Sequence, residues 1–361
     1  MNKATKDITN NKLQFLPGHF SGEIALSNNE PDISDLLNNV FIPTWENRPD
    51  PVPDVMSLNG TGILTFQNVG SLIAKPGAGK TSVIEAIISS YLNPEGDNLG
   101  FEVDNSFQGI ICIDNERTET DVWNSYYRIA RRSNIAPGIE MKNMLLAGLR
   151  SVPRLQNRRA AITHLLENNP CSLLLIDGAG DLVNDTNDLD EAIECRIWLR
   201  ELTVKYKISI FVTLHPNPGS EKPRGHHGSE ICRESESVLI IKAFDENTRI
   251  ITSDFEHGKN RNNAPVSTAF TWSDNEKMFI SADMDNVAAI KQNAKRDRIK
   301  SELSELVKKV LAPPKSLGYN DLVSAIEEKC GISKSTAKRK VADMVEKKLI
   351  IKHSDDHYRA L

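Results

Sequence analysis

The chain has 361 residues, of which 39% are apolar and 26% charged, a length and composition that predict two or three folded domains. It contains no run of about 18 apolar residues, no apolar segment after Met1 and five cysteines without paired spacing. We therefore expect no membrane-spanning helix, no secretory signal, no zinc site and a cytoplasmic location. The net charge of −5 is uneven, because residues 291–361 hold 17 Lys and Arg against 10 Asp and Glu, whereas the preceding residues hold 27 against 39.

Residues 1–59 are rich in Asn, Asp and Pro, which predicts an extended N-terminal arm that packs on the body or on a neighbouring copy. From 60 to 285, short apolar strands alternate with helical stretches, the pattern of an α/β domain whose mostly parallel sheet is flanked by helices. The last three strands lie close together, so we expect the sheet to end in antiparallel hairpins. The predicted strands are 70–74, 109–114, 143–148, 171–176, 208–214, 237–242, 249–254 and 267–272.

Over residues 71–83 an apolar strand runs into a glycine-rich turn and then into an apolar helix. This order is typical of the phosphate-binding loop of nucleoside triphosphatases, whose backbone N–H groups point at phosphate oxygens. Lys80 would place its charge beside the β- and γ-phosphates, and the Thr81 hydroxyl would ligate Mg²⁺. Ala74 stands at the first glycine of the usual pattern, so that corner must use ordinary dihedral angles. The predicted nucleotide-binding residues are Ala74, Lys75, Pro76, Gly77, Ala78, Gly79, Lys80, Thr81 and Ser82.

Two later strands end in acidic residues. The first is followed by Glu116, which is placed to orient an attacking water; the alternatives are that Glu116 caps the next helix and that Asp114 is a structural turn residue. The second leads to Asp177, and a carboxylate at the carboxyl edge of a parallel strand can hold Mg²⁺ beside a phosphate loop. The sequence therefore predicts a Mg²⁺ site made by Thr81 and Asp177, with Glu116 as the base.

The next strand ends at His215, and either Thr213 or His215 is a candidate sensor of the γ-phosphate, unless His215 is an ordinary strand-end residue. Residues 216–236 are predicted to form one long loop, and loops of that length are typically functional or disordered. Farther along, Lys259 and Arg261 point the same way from an extended segment. They would complete a neighbouring subunit's site as arginine-finger-type charges, or they lie in a solvated hairpin turn.

Together these motifs resemble the RecA-like ATPase core, in the branch that holds the DnaB-type replicative helicases and the RepA-type plasmid helicases. The resemblance covers residues 60–282 and implies ATP and Mg²⁺ as cofactors and self-assembly into a ring or filament, with a hexamer expected. In that family the Glu after the second strand activates water, which matches Glu116. The Lys-x-Arg pair reaches into the adjacent subunit, which matches Lys259 and Arg261.

In the same family, the loop after the His-ended strand lines a central channel and touches single-stranded DNA. Residues 217–235 match that loop, and Arg224, His226 and His227 are its candidate DNA contacts. The loop also carries acidic residues that would repel DNA, namely Glu221, Glu230, Glu234 and Glu236.

Residues 286–314 are predicted to be a helical linker, and residues 315–361 resemble a small winged-helix domain. The second helix of this domain begins after Ser333, a candidate N-cap, and presents basic residues at the position of a recognition helix. These candidate DNA contacts are Lys334, Lys338, Arg339 and Lys340. The residues expected to face inward are Leu322, Val323, Ile326, Ala337, Val341, Met344 and Val345. A basic tail on an acidic body favours contact with single-stranded or duplex DNA over docking on a protein, although solvated helix faces would carry the same charge.

These features predict an ATP-hydrolysing, oligomeric DNA motor, a helicase or mobilisation ATPase of a plasmid, phage or other mobile element. One alternative is a DNA-binding regulator whose ATPase controls oligomerisation without unwinding, and another is an ATP-switched scaffold whose tail binds protein. The predicted catalytic residues are Lys80, Glu116, Asp177, His215, Lys259 and Arg261.

Overall fold

The computed structural model describes residues 40–253, 259–261, 263–284, 299–312 and 315–361. The chain divides into two units, Met1–Pro51 and Val52–Leu361. In the first unit the described residues form a turn, in which the Asn47 side chain accepts from the Thr44 N–H at 2.6 Å and donates to the Ile42 carbonyl at 2.9 Å. Residues 1–39 of the predicted arm lie outside the described residues.

The second unit contains all the helices and strands within the described ranges. In chain order the strands are β1 (Asp54–Leu58), β2 (Thr61–Thr65), β3 (Val69–Ile73), β4 (Phe101–Val103), β5 (Ile110–Asp114), β6 (Met144–Gly148), β7 (Leu173–Asp177), β8 (Ser209–Leu214), β9 (Ser237–Ala243), β10 (Thr248–Thr252), β11 (Lys259–Asn260), β12 (Thr268–Ser273), β13 (Met278–Ala282), β14 (Leu317–Gly318), β15 (Ile350–Lys352) and β16 (His357–Ala360). The helices are α1 (Lys80–Leu92), α2 (Glu119–Arg132), α3 (Leu155–Asn168), α4 (Leu189–Tyr206), α5 (Gly225–Glu234), α6 (Tyr319–Cys330) and α7 (Lys334–Glu346), and residues 299–310 are also helical.

One large sheet organises the unit, with the strand order β13-β12-β10-β9-β3-β8-β7-β5-β6 and with β11 paired to β9. The strands from β9 to β6 are all parallel, whereas β10, β12 and β13 add antiparallel pairs at one side. This confirms the prediction of an α/β fold with a large, mostly parallel sheet, including its antiparallel end. β13 was not among the predicted strands.

The central strands of the sheet are continuous apolar runs because helices cover both of their faces. Side chains alternate along a strand, so Leu173 and Leu175 of β7 pack into one buried cluster, and Leu174 and Ile176 pack into another. The first cluster includes Ile87 of α1, and the second includes residues of α3 and α4. No described helix is both long and apolar enough to cross a membrane.

A second, three-stranded sheet has the order β2-β1-β4. It corrects the predicted extended arm, because β1 begins at Asp54 inside the segment assigned to that arm. Val55, Met56 and Leu58 of this strand are buried in the first cluster. Its apolar run is short and directly follows closely spaced prolines, so the composition of the segment concealed it.

The C-terminal residues form two helices and the sheet β14-β16-β15. Six of the seven residues predicted to face inward are buried, but Val345 is 43% exposed, which corrects that assignment. Ser333 lies at the N-cap position of α7 without a side-chain hydrogen bond to the helix backbone.

The predicted helical linker also contributes to this C-terminal core. Leu303, Leu306, Val307 and Val310 are buried in the same cluster as the inward residues of α6 and α7. Their spacing places them on one helix face, so this helix is part of the C-terminal module rather than a spacer. Residues 285–298 and the two prolines at 313 and 314 lie outside the described residues.

Candidate functional site

The glycine-rich turn (residues 74–79) joins β3 to α1. Gly77 has a φ of 74° and Gly79 a φ of 95°, both in the left-handed region that favours glycine. A side chain on Gly79 would also meet the Phe270 ring at 2.9 Å, whereas nothing lies within 4 Å of the same position on Gly77. Ala74 does not have a positive φ, as its residue type requires. The turn thus uses ordinary dihedral angles at Ala74 and positive φ angles, which favour glycine, at Gly77 and Gly79.

The helix that follows the turn offers an electropositive end. α1 begins at Lys80, and the first N–H groups of any helix have no intrahelical acceptor. Its first turn contains no acidic residue to offset the helix dipole. Backbone donors and a lysine therefore lie together beside two glycines, an arrangement that suits an anionic oxygen group.

Lys80 is only 9% exposed, and its ammonium group is held by two acceptors. Nζ donates to the Ala74 carbonyl at 3.2 Å and contacts His215 Nδ1, also at 3.2 Å. Burial lowers the pKa of Lys80, while the charges of Asp177 and Glu116 oppose that shift. The ammonium thus contacts the carbonyl at the start of the glycine-rich turn, and the charges of Asp177 and Glu116 stabilise it.

His215 joins Lys80 to Glu116. An ammonium group can only donate, so His215 Nδ1 is the acceptor in this contact, which leaves Nε2 at the other side of the ring. That nitrogen lies 3.5 Å from Oε1 of Glu116. The contact with His215 is the main cause of a lowered pKa for Glu116, which therefore remains a carboxylate. His215 is thus not an ordinary strand-end residue, because it bridges the two predicted catalytic charges.

Asp177 and Thr81 lie together next to the glycine-rich turn. Thr81 Oγ1 donates to one carboxylate oxygen of Asp177 at 2.8 Å, and Thr213 Oγ1 donates to the other at 2.7 Å. Burial raises the pKa of Asp177, although both hydroxyl donors oppose that shift. Thr213 also accepts from the Gly178 N–H at 2.9 Å, so its hydroxyl ties the Asp177 carboxylate to the turn that follows β7.

A hydroxyl and a carboxylate in contact are hard oxygen ligands, the donor set that suits a largely hydrated Mg²⁺. Within the described ranges, no group of three or more His, Cys, Asp and Glu side chains is placed to hold a metal ion. Mg²⁺ in proteins commonly keeps several water ligands beside one or two protein oxygens and substrate phosphates.

Asp114 is a structural turn residue, which is one of the two alternatives that the sequence leaves open. It is 1% exposed, and its Oδ1 accepts from the backbone N–H groups of Glu116 and Arg117 at 3.1 and 2.9 Å. The cap of α2 is Thr118, whose side chain accepts from the Asp121 N–H, so the alternative of Glu116 as that cap is wrong. Asp114 and Asp177 are opposite each other in the register of β5 and β7, which brings the Glu116 turn to the edge where Lys80 lies.

The predicted 216–236 loop contains a helix, α5, which corrects the loop assignment. His227 is buried and its Nε2 lies 2.9 Å from the Ala179 carbonyl, so the prediction that it contacts DNA is wrong. Arg224 and His226 are exposed.

The acidic residues of this segment are largely engaged within the protein. Glu230 pairs with Arg196 and Arg233, Glu234 pairs with Arg196 and Arg200, and Glu236 accepts from Thr65. From the sequence alone these carboxylates look unpaired, because most of the arginines that pair with them lie on another helix, α4.

Lys259 and Arg261 lie at the opposite edge of the sheet. Lys259 is opposite Val238 near the start of β9, and its Nζ donates to the Arg233 carbonyl at the end of α5 at 2.8 Å. Arg261 Nη1 donates to Asn68 Oδ1 at 3.4 Å, just before β3. The glycine-rich turn follows the other end of β3, so neither residue contacts the site within its own chain.

In the C-terminal module, Lys334, Lys338 and Arg339 are exposed, and Lys340 is half-buried. None of the first three forms an ion pair with another residue in the part of the chain that the structure describes. Lys334, Lys338 and Arg339 are therefore accessible from solvent, as the sequence predicted, whereas the same prediction for Lys340 is only partly met.

The sequence reading missed a group of charged residues behind the Glu116 turn, namely Glu85, Arg117, Arg128 and Arg132. Two signals point to it: an arginine directly after Glu116, and polar residues on α2 at positions 125, 128 and 132, which lie on one helix face.

Compared with known protein families, the chain matches no family model, and none of the curated proteins matches it significantly.

Proposed function

We propose that the chain is an oligomeric ATPase with a RecA-like core, of the branch that holds the DnaB-type and RepA-type helicases, acting on DNA as a cytoplasmic motor. The observation that carries the proposal is the contact series from Lys80 through His215 to Glu116 at one edge of the sheet. Phosphoryl transfer to water needs a cation at the phosphates and a carboxylate that orients the water. Lys80 and Glu116 offer these two charges, and His215 lies between them and contacts both.

In this proposal the backbone donors of the glycine-rich turn and α1 hold the phosphates, and Lys80 exchanges its contacts with Ala74 and His215 for the β- and γ-phosphate oxygens. Glu116 accepts a proton from, or orients, the attacking water. Mg²⁺, bound by Thr81 and by Asp177 directly or through water, offsets charge on the transferring group. His215 senses whether the γ-phosphate is present, because it contacts both Lys80 and Glu116.

Assembly is supported by the positions of Lys259 and Arg261. Both lie at the edge of the sheet opposite Lys80, where they have no access to the site of their own chain. In a head-to-tail ring or filament, one edge of each copy faces the other edge of its neighbour. Arg261 would then complete a neighbouring site, as an arginine finger does in trans. We propose a hexameric ring.

DNA binding is supported by the C-terminal module. Two helices followed by an antiparallel hairpin are the elements of a winged helix, and the exposed Lys334, Lys338 and Arg339 lie on its second helix. A second helix whose exposed basic residues form no ion pair within the described residues is suited to phosphate contacts along a nucleic acid.

One observation favours a second function, a DNA-binding regulator whose ATPase controls oligomerisation without unwinding. The segment proposed to line a channel uses His227 internally and leaves Arg224 and His226 as its exposed candidate contacts. A motor needs such contacts with a single strand, whereas a regulator needs only the C-terminal module.

The test measures ATP hydrolysis with and without single-stranded DNA, and displacement of a strand from a partial duplex, in the full-length protein with Mg²⁺. Lys142→Ala, which removes an exposed lysine near the start of β6, serves as the control variant. Hydrolysis-dependent displacement supports the motor. Hydrolysis and DNA binding without displacement support the regulator. Failure to bind ATP overturns both.

A further inference from the structure

A charge-balanced cluster lies behind the Glu116 turn, between α1 and α2. Its acidic members are Glu85, Asp114 and Asp97, and its basic members are Arg117, Arg128 and Arg132. Glu85, Asp114 and Arg132 are each 1% exposed. Burying an ion is unfavourable unless it is paired and hydrogen-bonded, so these side chains have little freedom to change their contacts.

Ser125 connects the members of this cluster. Its hydroxyl donates to Glu85 Oε1 at 2.6 Å and accepts from Arg117 Nη1 at 2.7 Å and from Arg128 Nη2 at 2.9 Å. A serine hydroxyl has one donor and two acceptor positions, and all three are used here. Because Ser125 is also buried, these bonds are shielded from bulk water.

The two ends of this series of contacts lie at the candidate site. Glu85 stands four residues after Thr81 on α1, on the same helix face. At the other end, Arg117 Nε donates to Asp114 Oδ2, and Asp114 Oδ1 holds the backbone N–H of Glu116. The helix that would bind phosphate is thereby tied to the turn that presents the candidate base.

Glu116 is also confined from its other side. A Cβ atom on Gly178 would lie 2.7 Å from Glu116 Oε1, so the carboxylate packs directly against this glycine. The Gly178 carbonyl in turn accepts from Asn115 Nδ2 at 3.2 Å. The backbone of the turn is therefore fixed by Asp114 and Arg117, and the carboxylate has one side closed by Gly178.

We propose that Arg117 is a positioning residue for Glu116, acting through Asp114 and fixed to α1 by Ser125 and Glu85. The inference rests on the proposed ATPase function and names the group that holds its base in register with the phosphate-binding helix. Arg117 itself does not touch the nucleotide. Without it, Asp114 loses a charged partner, and the turn can shift Glu116 away from the attacking water, where a displacement of about 1 Å costs as much as 10²-fold in rate.

The experiment compares Arg117→Met, which keeps the length of the side chain and removes its donors, with Arg117→Lys and Ser125→Ala. We expect Arg117→Met to lower kcat by about 10- to 100-fold while the KM for ATP and directly measured ATP affinity stay within about twofold. Arg117→Lys, which keeps the charge, should recover part of the loss. Ser125→Ala should lower kcat by less than Arg117→Met, because the contact of Arg117 with Asp114 remains.

The matched control is Arg196→Met, which removes a similarly buried arginine that pairs with Glu230 and Glu234 on a different helix and forms no ion pair with a member of the Arg117 cluster within the described residues. It should lower Tm without lowering kcat. The inference is overturned if Arg117→Met keeps the wild-type kcat, if it raises KM at unchanged kcat, or if Arg196→Met loses kcat equally. If Arg117→Met does not fold, Arg117→Lys and Ser125→Ala are measured instead. The inference is then overturned if both variants keep the wild-type kcat or raise KM at unchanged kcat. A wild-type protein that does not hydrolyse ATP overturns the proposed function and this inference together, whereas a failure of the inference alone leaves wild-type hydrolysis intact.

Discussion

The carboxyl edge of the parallel strands and the basic face of α7 carry the two sets of candidate functional residues, and they are built in opposite ways. At the sheet edge, His215 contacts both Lys80 and Glu116; Lys80 is buried, whereas the Glu116 side chain is 45% exposed. On α7, Lys338 and Arg339 are exposed and contact no acidic partner within the described residues.

This difference predicts how the two regions respond to substitution. Residues in mutual contact act as a unit, so removing one disables the others and the effects are large and non-additive. Exposed charges that bind a polyanion act separately, so each contributes a small and nearly additive amount. The predictions below test that contrast, from the largest expected effect to the smallest.

Lys80→Ala should abolish ATP hydrolysis and weaken ATP binding, because it removes the cation beside the β- and γ-phosphates and one partner of His215. Turnover is measured by phosphate release and binding by titration with a fluorescent ATP analogue. Lys142→Ala should keep wild-type values in both assays. Wild-type turnover in Lys80→Ala would exclude the glycine-rich turn as the phosphate site.

Glu116→Gln should keep ATP binding and lower turnover by about 10²- to 10⁴-fold, the range that a positioned general base contributes. The substitution keeps the shape of the side chain and removes its charge. Glu119→Gln, an exposed acidic residue in the first turn of α2, is the control and should hydrolyse normally. Normal hydrolysis by Glu116→Gln would place the base elsewhere, but not at Asp114, which is buried and bonded to its own turn.

The sequence was sufficient for the parts of the molecule that depend on local pattern. The buried strands are continuous apolar runs between helices, and Gly77 and Gly79 stand where the chain needs positive φ. The contact between Lys80, His215 and Glu116 follows from the order of strands, because β3, β8, β7 and β5 are neighbours whose carboxyl ends meet.

Other features depend on contacts between distant segments, which the sequence pattern does not specify. The polar segment around His227 conceals, in the sequence, that its ring faces the Ala179 carbonyl. In the sequence Glu234 looks like a free acid, because its partners Arg200 and Arg196 lie 34 and 38 residues away. The network of Ser125 was missed because each bond joins a different pair of elements.

Arg261→Ala should leave ATP binding unchanged and stop hydrolysis by the assembled protein, because Arg261 lies at the edge opposite its own site and would act in a neighbouring one. Mixing Arg261→Ala with Lys80→Ala protein is the decisive measurement. Each variant lacks a different half of a shared site, so mixed assemblies should recover part of the activity. If the two variants co-assemble and no mixing ratio restores hydrolysis, action in trans is excluded.

Lys338→Ala combined with Arg339→Ala should give the smallest effect, a weaker salt dependence of DNA binding with basal ATPase unchanged. Each phosphate contact contributes about −0.9 to the slope of log affinity against log salt concentration, so the slope should shrink by up to about 1.8 if both residues touch phosphates. Deletion of residues 313–361 is a less specific test, because it would uncover Leu303 and Leu306 in the core of the module.

The matched control for this last prediction is Lys315→Ala with Lys329→Ala, which removes the same charge from exposed positions outside α7. If α7 binds DNA, the control should keep the wild-type slope and each single α7 substitution should account for about half of the change. If both double variants shrink the slope equally, only the net charge of the module matters. A slope unchanged in all variants would mean that the C-terminal module docks on protein. Any DNA contact would then belong to Arg224 and His226, the exposed candidate contacts of the α/β domain.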